Sequence, residues 1–486
     1  MADHAEYEIV VGLEVHAQLN TWSKLFCGDS THFGSPPNTQ VSAISLAHPG
    51  TLPKMNRQAI EYAIALGLAC HCDINRENYF ARKNYFYPDL PKGYQVSQHT
   101  TPICREGYLS IQLNGEERKI RLIRIHLEED AGKSIHDADP DNTRIDLNRA
   151  GTPLVEIVTE PDIRSSEEAF AFLTSIRRRL RYLGVCDGNM EEGSLRCDAN
   201  ISVRKKGATS LGTRTEIKNL NSIRHVKKAI DIEAARQIDL LNNGEKVIQQ
   251  TRSFVAADGS SFAIRNKEEA DDYRYFPEPD LTPFRISEDQ LSSIATSLPR
   301  LPEQRMASYI KELQLSEYDA ALLTDERNLS DYFETLVEDH PGLRPKSFAN
   351  WLSGPVKGWL NEQGKEIDDF PLTTDQLASL VGLVEKGRCS FTAASGKLFQ
   401  EYLKQPDTSA EKLAAQLNLL QVSDSSSMEP VIEEVLKKMA GKVEEYKKGK
   451  KGLLALFVGE VMKQTKGQAD PKLTNELIIK KINSSK

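Results

Sequence analysis

The chain has 486 residues, of which 39% are hydrophobic and 27% charged, and it carries a net charge of −8. That length exceeds one hydrophobic core, so two or three domains are expected. The charge argues against general coating of nucleic acid, no apolar run approaches the roughly 20 residues that span a bilayer, and the Met1–Glu6 start resembles neither a secretory leader nor a transit peptide.

The seven cysteines, at 27, 70, 72, 104, 186, 197 and 389, form an odd and scattered set. In a long chain this fits reduced thiols and a cytoplasmic location. Up to about residue 292 the chain alternates in short segments: Glu8–Leu19, Ile120–Leu127, Leu154–Thr159, Asn200–Val203 and Thr213–Ile217 are predicted strands with one buried and one polar face. Ser165-Ser166-Glu167-Glu168 predicts a capping box opening a helix that stops at Gly184. A second helix is expected over Ser222–Leu241, closed by Asn242-Asn243-Gly244. Beyond Pro302 the periodicity turns helical, over Glu303–Leu313, Glu317–Leu323, Ser330–Glu338 and Thr374–Lys386, and Ser423–Ser427 reads as a flexible joint. The reading is an α+β chain: an antiparallel-sheet domain over 1–292, a helical domain over 293–422 and a helical tail over 423–486.

Within the strands, polar residues of one kind recur on one face. Extended, Gly12–Leu19 sends Leu13, Val15, Ala17 and Leu19 to the core, and Glu14, His16 and Gln18 to the other side. Arg196, Asp198, Asn200 and Ser202 share a face in the same way, as do Arg214, Glu216 and Lys218. Glu156 interrupts an apolar run, where a carboxylate is costly unless paired or ligating, and His126-Leu127-Glu128-Glu129-Asp130 ends another strand in three successive acids. A solvated sheet face explains any one of these strands. Their recurrence suits Mg²⁺ or Mn²⁺, which in turn bind a nucleotide's phosphates.

Familiar phosphate motifs are missing. Gly132-Lys133-Ser134 ends like a P-loop, but Leu127 stands where its first glycine belongs, and no G-x-G-x-x-G follows a strand. Cys70-His71-Cys72 has no second cysteine pair at ligand spacing and is expected at the buried end of a helix. Arg82–Tyr94 interleaves cations with aromatic rings, a combination suited to single-stranded nucleic-acid ends. Asp271–Asp280 is a second aromatic loop, more acidic. From Lys442 to Lys486 there are 11 lysines against 5 acids, a local charge of +6 that is densest at Lys447, Lys448, Lys450 and Lys451. Such a patch is the electrostatic footprint of an RNA backbone or a solubilising tail.

These strings resemble the B subunit of bacterial aspartyl/glutamyl-tRNA amidotransferases. The likeness is carried by Val11–His16, Arg82–Pro88, His126–Ser134, Asp146–Leu154, Met190–Ser202, Glu216–Asn221 and Asp271–Asp280. The helical remainder is similar to that family's helical and YqeY-like tail domains. The resemblance implies a cradle-like front domain and a two-step reaction. ATP with Mg²⁺ phosphorylates the side-chain carboxylate of a misacylated Glu-tRNA(Gln) or Asp-tRNA(Asn). Ammonia channelled from an amidase/glutaminase A subunit, in a heterotrimer with a small C subunit, then displaces the phosphate. Carried over residue by residue, it implies Glu14, His16, Glu129 and Glu216 as metal ligands, with Glu128 joining them in catalysis. Glu128, Glu156, Glu192 and Asp198 would be second-rank members of the metal site or help position ATP, Lys83, Tyr85, Tyr87 and Lys218 would serve the nucleotide or acceptor end, and Lys447, Lys448, Lys450 and Lys451 the tRNA body. A non-catalytic tRNA-binding scaffold in the same complex is the alternative. Many members of the family carry a zinc-type C-x-C…C-x-x-C pattern; here Cys27, Asp29, Ser42 and Ser45 occupy those positions, one thiolate of four, so no zinc is expected.

Overall fold

The computed structural model describes residues 6–135, 141–255, 258–266, 273–421, 425–465, 469 and 471–484. Asp271 and Asp272 of the acidic aromatic loop, and Ser423 and Asp424 of the expected joint, lie outside them. The chain divides into two compact units, Met1–Leu301 and Pro302–Lys486. Among the described residues no helix is long and apolar enough to cross a membrane.

The first unit is built on strands β1 (Tyr7–Gln18), β2 (Ala81–Asn84), β3 (Tyr94–Ser97), β4 (Glu116–Glu129), β5 (Pro153–Thr159), β6 (Leu195–Lys205), β7 (Thr215–Leu220), β8 (Gln250–Phe254) and β9 (Ser261–Asn266). They lie side by side in the order β9-β8-β7-β6-β1-β5-β4-β3-β2. The sheet is mixed rather than wholly antiparallel, because β7 and β8 run parallel. The reason is the intervening helix: a parallel pair needs a crossover of a dozen residues or more, and the helix Ile223–Asn242 supplies it.

One face of the sheet is covered. Leu13, Val15 and Ala17 of β1 enter a core shared with helices α1 (Arg57–Ala69), α2 (Ser166–Tyr182) and α3 (Ile223–Asn242), through Ile60, Ala63, Ile64, Phe172, Leu173, Ile176, Val226 and Ile230. Ser165 caps α2, its Oγ accepting from Glu168 N at 3.1 Å. Only half of the expected capping box forms, since the Glu168 carboxylate accepts from Arg164 N (2.7 Å) and pairs with Arg118 instead. Gly184, at φ +68°, then ends the turn. Cys70 follows α1 as its cap and is buried with Cys72, while His71 between them stacks on Tyr108 at 4.4 Å.

The second unit is helical. Its helices include Pro302–Lys311, Glu317–Leu323, Arg327–Asp339 and Thr374–Glu385, each within a few residues of the expected span. Thr373 and Gln376 make the reciprocal capping box before the last of these. Trp351, Phe348, Phe333 and Phe399 centre one core, and Met428, Ile432, Phe457, Val461 and Ile478 centre a separate one.

Candidate active site

The other face of the sheet gathers polar and charged side chains. In the antiparallel register Arg196, His16, Glu156 and His126 lie across four strands as one rung, and Asp198, Glu14, Val158 and Arg124 form the next. Alternation places all of them opposite the core, and Glu128, Asn200, Glu216 and Lys218 extend the same face. With Lys83, Tyr85, Tyr273 and Tyr275 they line a cavity of about 920 Å³.

Two groups of ligand atoms form there. In His16, Glu128 and Glu156 they lie within 4.8 Å of one another, and the same holds for Glu14, Asp198 and Glu216. In the first group Glu156 Oε2 is 3.4 Å from His16 Nε2 and 3.6 Å from His126 Nε2, which stands 3.6 Å from Glu128 as well. Burial works against a charged His16, but the hydrogen bond to Glu156 and the fields of Glu128 and Asp198 push it up to about 9. Burial likewise opposes ionisation of Glu156, and His126, His16 and Lys83 outweigh it, holding that carboxyl below the usual range. In the second group burial, reinforced by Glu156, Glu216 and Asp198, raises Glu14. Asn200 donates to Glu14 at 2.9 Å, Thr251 to Glu216 at 2.9 Å, and Lys218 to Asp198 at 2.6 Å.

Carboxylates with an imidazole at this spacing fit a hard divalent cation. These groups differ from the expected ligand set: Glu156, Glu128 and Asp198 join Glu14, His16 and Glu216, in two sets rather than one, and Glu129 is absent from both. Glu129 pairs with Pro153 in phase with core residues Leu127 and Ile125, so its side chain emerges beneath the sheet. There it accepts from Val96 N at 2.7 Å and pairs with Lys92. Three successive acids cannot share one face of a strand.

Around the two groups, Lys83 Nζ lies 5.0 Å from the Tyr273 ring and 5.8 Å from that of Tyr85. Burial lowers and Glu128, Tyr275 and Glu156 raise the Lys83 ammonium, with a net rise. Glu192 lies at the cavity wall, exposed. Tyr87 is 59% exposed and does not line the cavity. Two residues escaped the sequence reading. His126 is only 3% exposed, and its Nδ1 has no hydrogen-bond partner among the described residues. Arg124 lies on the cavity wall with its Nε buried and equally unpartnered. The signal for both was the alternation itself, since 124, 126 and 128 fall in phase on β4.

The family model described as the GatB/GatE catalytic domain matches residues 9–292, and one described as the GatB domain matches 331–482. The chain is similar to the B subunit of the aspartyl/glutamyl-tRNA(Asn/Gln) amidotransferase of Thermodesulfovibrio yellowstonii, 52% identical with 98% of this chain and 99% of the relative covered. The corresponding B subunit of Geotalea daltonii is 50% identical at the same coverage. The chain belongs to the GatB family.

The GatB catalytic-domain match holds both ligand groups and the whole cavity lining. It also contains the four positions at which a zinc-type pattern was sought. Asp29 accepts from Ser42 N at 2.8 Å and from Ser45 Oγ, Cys27 Sγ is 3.4 Å from Ser45 Oγ, and the buried Lys24 ammonium donates to Ser45 Oγ (3.3 Å) and to the Gln40 carbonyl (2.8 Å). A hydrogen-bonded knot with an internal cation thus stands at the four positions, and a cation already there repels a second. Elemental analysis of the dialysed chain is expected to find well under one zinc per chain; about one zinc per chain would contradict this.

In the GatB-domain match, Lys447 ends the helix Ala440–Lys447, with Lys448, Lys450 and Lys451 in the turn beyond. Lys450 pairs with Glu445 at 2.8 Å, Lys447 is 4.0 Å from Glu444, and Lys451 sits over the Tyr446 ring at 4.4 Å. Neighbouring acids therefore offset part of the local positive charge.

Proposed function

We propose that the open face of the sheet activates the side-chain carboxylate of a misacylated Glu-tRNA(Gln) or Asp-tRNA(Asn), using ATP, so that ammonia can convert it to the amide. The observation that carries this reading is the juxtaposition, in one cavity, of two groups of residues able to hold a divalent cation with an arginine whose buried Nε has no hydrogen-bond partner among the described residues. A carboxylate oxygen is a poor leaving group. In the first step an O–P bond forms between it and the γ-phosphorus, the β–γ bridge breaks, and ADP leaves. In the second, ammonia forms a C–N bond at the acyl carbon, the C–O bond breaks and phosphate departs. Such transfer needs positioning and charge stabilisation more than covalent help. Arg124 and Lys83 supply fixed cations for phosphate oxygens, and Ser97 Oγ (3.4 Å from Glu128) and Asn200 hold two of the carboxylates in place. Tyr85, Tyr273 and Tyr275 offer rings against which an acceptor-end base stacks. A Mg²⁺ or Mn²⁺ held by His16, Glu128 and Glu156 would neutralise phosphate charge.

The relatives' designation as B subunits supports a chain working beside others. We assign the ammonia to a glutaminase A subunit, accompanied by a small C subunit, and the tRNA body to Lys447, Lys448, Lys450 and Lys451. The test of the chemistry is isotopic. With glutamate labelled by ¹⁸O in its side-chain carboxylate and charged onto tRNA(Gln), the assembled enzyme should release one ¹⁸O per turnover in inorganic phosphate. Phosphate free of label would rule out the acyl phosphate.

The imidazolium of His16 has a further consequence. A metal ligand must be deprotonated, and His16 remains protonated up to about pH 9 in the metal-free chain. Divalent-cation affinity should therefore rise with pH, by about tenfold per unit, and level off above pH 9. Calorimetric titration at pH 7.5 in buffers of different ionisation enthalpy is expected to show close to one proton released per ion in wild type. Binding without proton release would remove His16 from the ligand set.

A further inference from the structure

Two arginines on the cavity wall, Arg124 and Arg196, each bury an Nε that has no hydrogen-bond partner among the described residues. They stand on opposite sides of His16 and Glu156. Arg124 is on β4 and Arg196 on β6, with β1 and β5 between them, three strand spacings or about 14 Å across the sheet. The two sides offer different company. On the side of Arg124, toward β2, lie the Lys83 ammonium and the ring of Tyr85, and Asn84 N at the end of β2 donates to Tyr273 O at 2.9 Å, which brings Tyr273 and Tyr275 there as well. Two cations beside stacking surfaces suit a nucleotide and its phosphates. On the side of Arg196 acids predominate. Lys218 is taken up by Asp198 and Glu216, at 2.6 and 3.0 Å, and Arg196 itself lies in the fields of Asp130, Glu128 and Asp198. Such surroundings disfavour a polyphosphate, whereas a single negative charge is matched by one guanidinium.

That guanidinium is held in place. Its Nη2 donates to Asp130 Oδ2 at 2.7 Å, and the buried Asp130 is fixed in turn by Gln18 Nε2 (2.7 Å) and Ala131 N (2.9 Å). The side chain is 37% exposed, and a planar fork anchored at one corner presents its other donors in a set direction. We propose that Arg196 binds the side-chain carboxylate of the misacylated residue and holds it beside His16 and Glu156, while the γ-phosphoryl group approaches from the side of Arg124 and Lys83. The proposal rests on the reading of this face as the site of carboxylate activation, and adds to it the residue that recognises the acid. Arg196 pairs with His16 in the ladder, on the rung that continues to Glu156 and His126. One carboxylate oxygen on the guanidinium leaves the other to form the O–P bond as the β–γ bridge breaks and ADP leaves. The amide formed afterwards carries no charge, so the contact that selects the substrate is lost in the product.

The test compares one tRNA body carrying two side chains. Without ATP, the assembled wild-type enzyme is expected to bind Glu-tRNA(Gln) about tenfold more tightly than Gln-tRNA(Gln), the scale of one charge-assisted contact. Arg196→Lys, which keeps Asp130 partnered but loses the fork, should lose most of that preference, and Arg196→Gln all of it. In both, the Kd for Gln-tRNA(Gln) and the KM for ATP should stay at the wild-type values. Equal Kd values in wild type would overturn the proposal, and that ratio alone can refute it if the variants do not fold. So would a preference preserved in both variants with unchanged circular dichroism, or a KM for ATP that rises as the preference falls. Mischarge-dependent ADP formation by the same wild-type preparation separates the two readings. If it is present beside any of these results, the activation site stands without Arg196; if it is absent, the activation reading falls and the role of Arg196 with it.

Discussion

Replacing Glu156 with alanine is expected to lower amidation of misacylated tRNA by about three orders of magnitude, the upper scale on which loss of one preorganised electrostatic group acts. Glu156 is the carboxylate that faces two imidazoles, 3.4 Å from His16 and 3.6 Å from His126. Without it His16 loses its main source of positive-charge stabilisation, and the divalent-cation group loses one of its two carboxylates. Its backbone position in the middle of β5 is fixed by pairing on both sides, so the strand itself should survive. The measurement is the amidation rate of the assembled enzyme alongside the Kd for misacylated tRNA. The rate should collapse with the Kd little changed. A rate and a Kd that worsen by the same factor would instead make this face a tRNA-holding scaffold.

The second large effect is expected at Arg124. A guanidinium Nε that is buried and unpartnered costs free energy that an anion would recover, and among the described residues Arg124 meets this description on the rung of Glu14 and Asp198, one rung from His16 and Glu156. A charge-assisted hydrogen bond contributes about 1.5–3 kcal/mol. Arg124→Met should therefore raise the KM for ATP about 10- to 100-fold, leaving the Kd for tRNA in place. Arg124→Lys should recover part of the loss, since it restores charge but not the planar fork. An unchanged KM with a lowered melting temperature would assign Arg124 to structure alone.

Strand alternation carried most of what was legible in the sequence. Glu14 and His16 on one strand, and Asp198 and Glu216 on two others, share a face for the reason given by their spacing, and register then brings them together. Register itself was not readable: nothing in Leu154–Val158 says that Glu156 sits opposite both His16 and His126, because cross-strand pairing is decided by residues far apart in the chain. Glu129 was carried over from the resemblance without regard to the pleat, which turns it to the face opposite Glu128, and the same pleat would have marked His126 and Arg124. Helices with regular periodicity and good caps, such as Thr374–Glu385, were readable to within a residue. Those over Pro345–Gln363 and Phe391–Lys404 were not, since each contains a wider π-helical turn, at Leu352–Val356 and Ala394–Leu398, with Pro355 inside the first. Such a turn breaks the 3.6-residue pattern on which recognition depends.

The most direct test of carboxylate activation on this face is ADP formation by the assembled enzyme with ATP and Mg²⁺ but no glutamine or ammonia. Mischarged Glu-tRNA(Gln) would be compared with correctly charged Gln-tRNA(Gln), in wild type and in His16→Ala. ADP that appears only with the mischarged tRNA, and is lost in the variant, is the predicted result. ADP formation that does not depend on the mischarged tRNA, or that survives His16→Ala unchanged, would contradict it and place the activation chemistry outside this cavity.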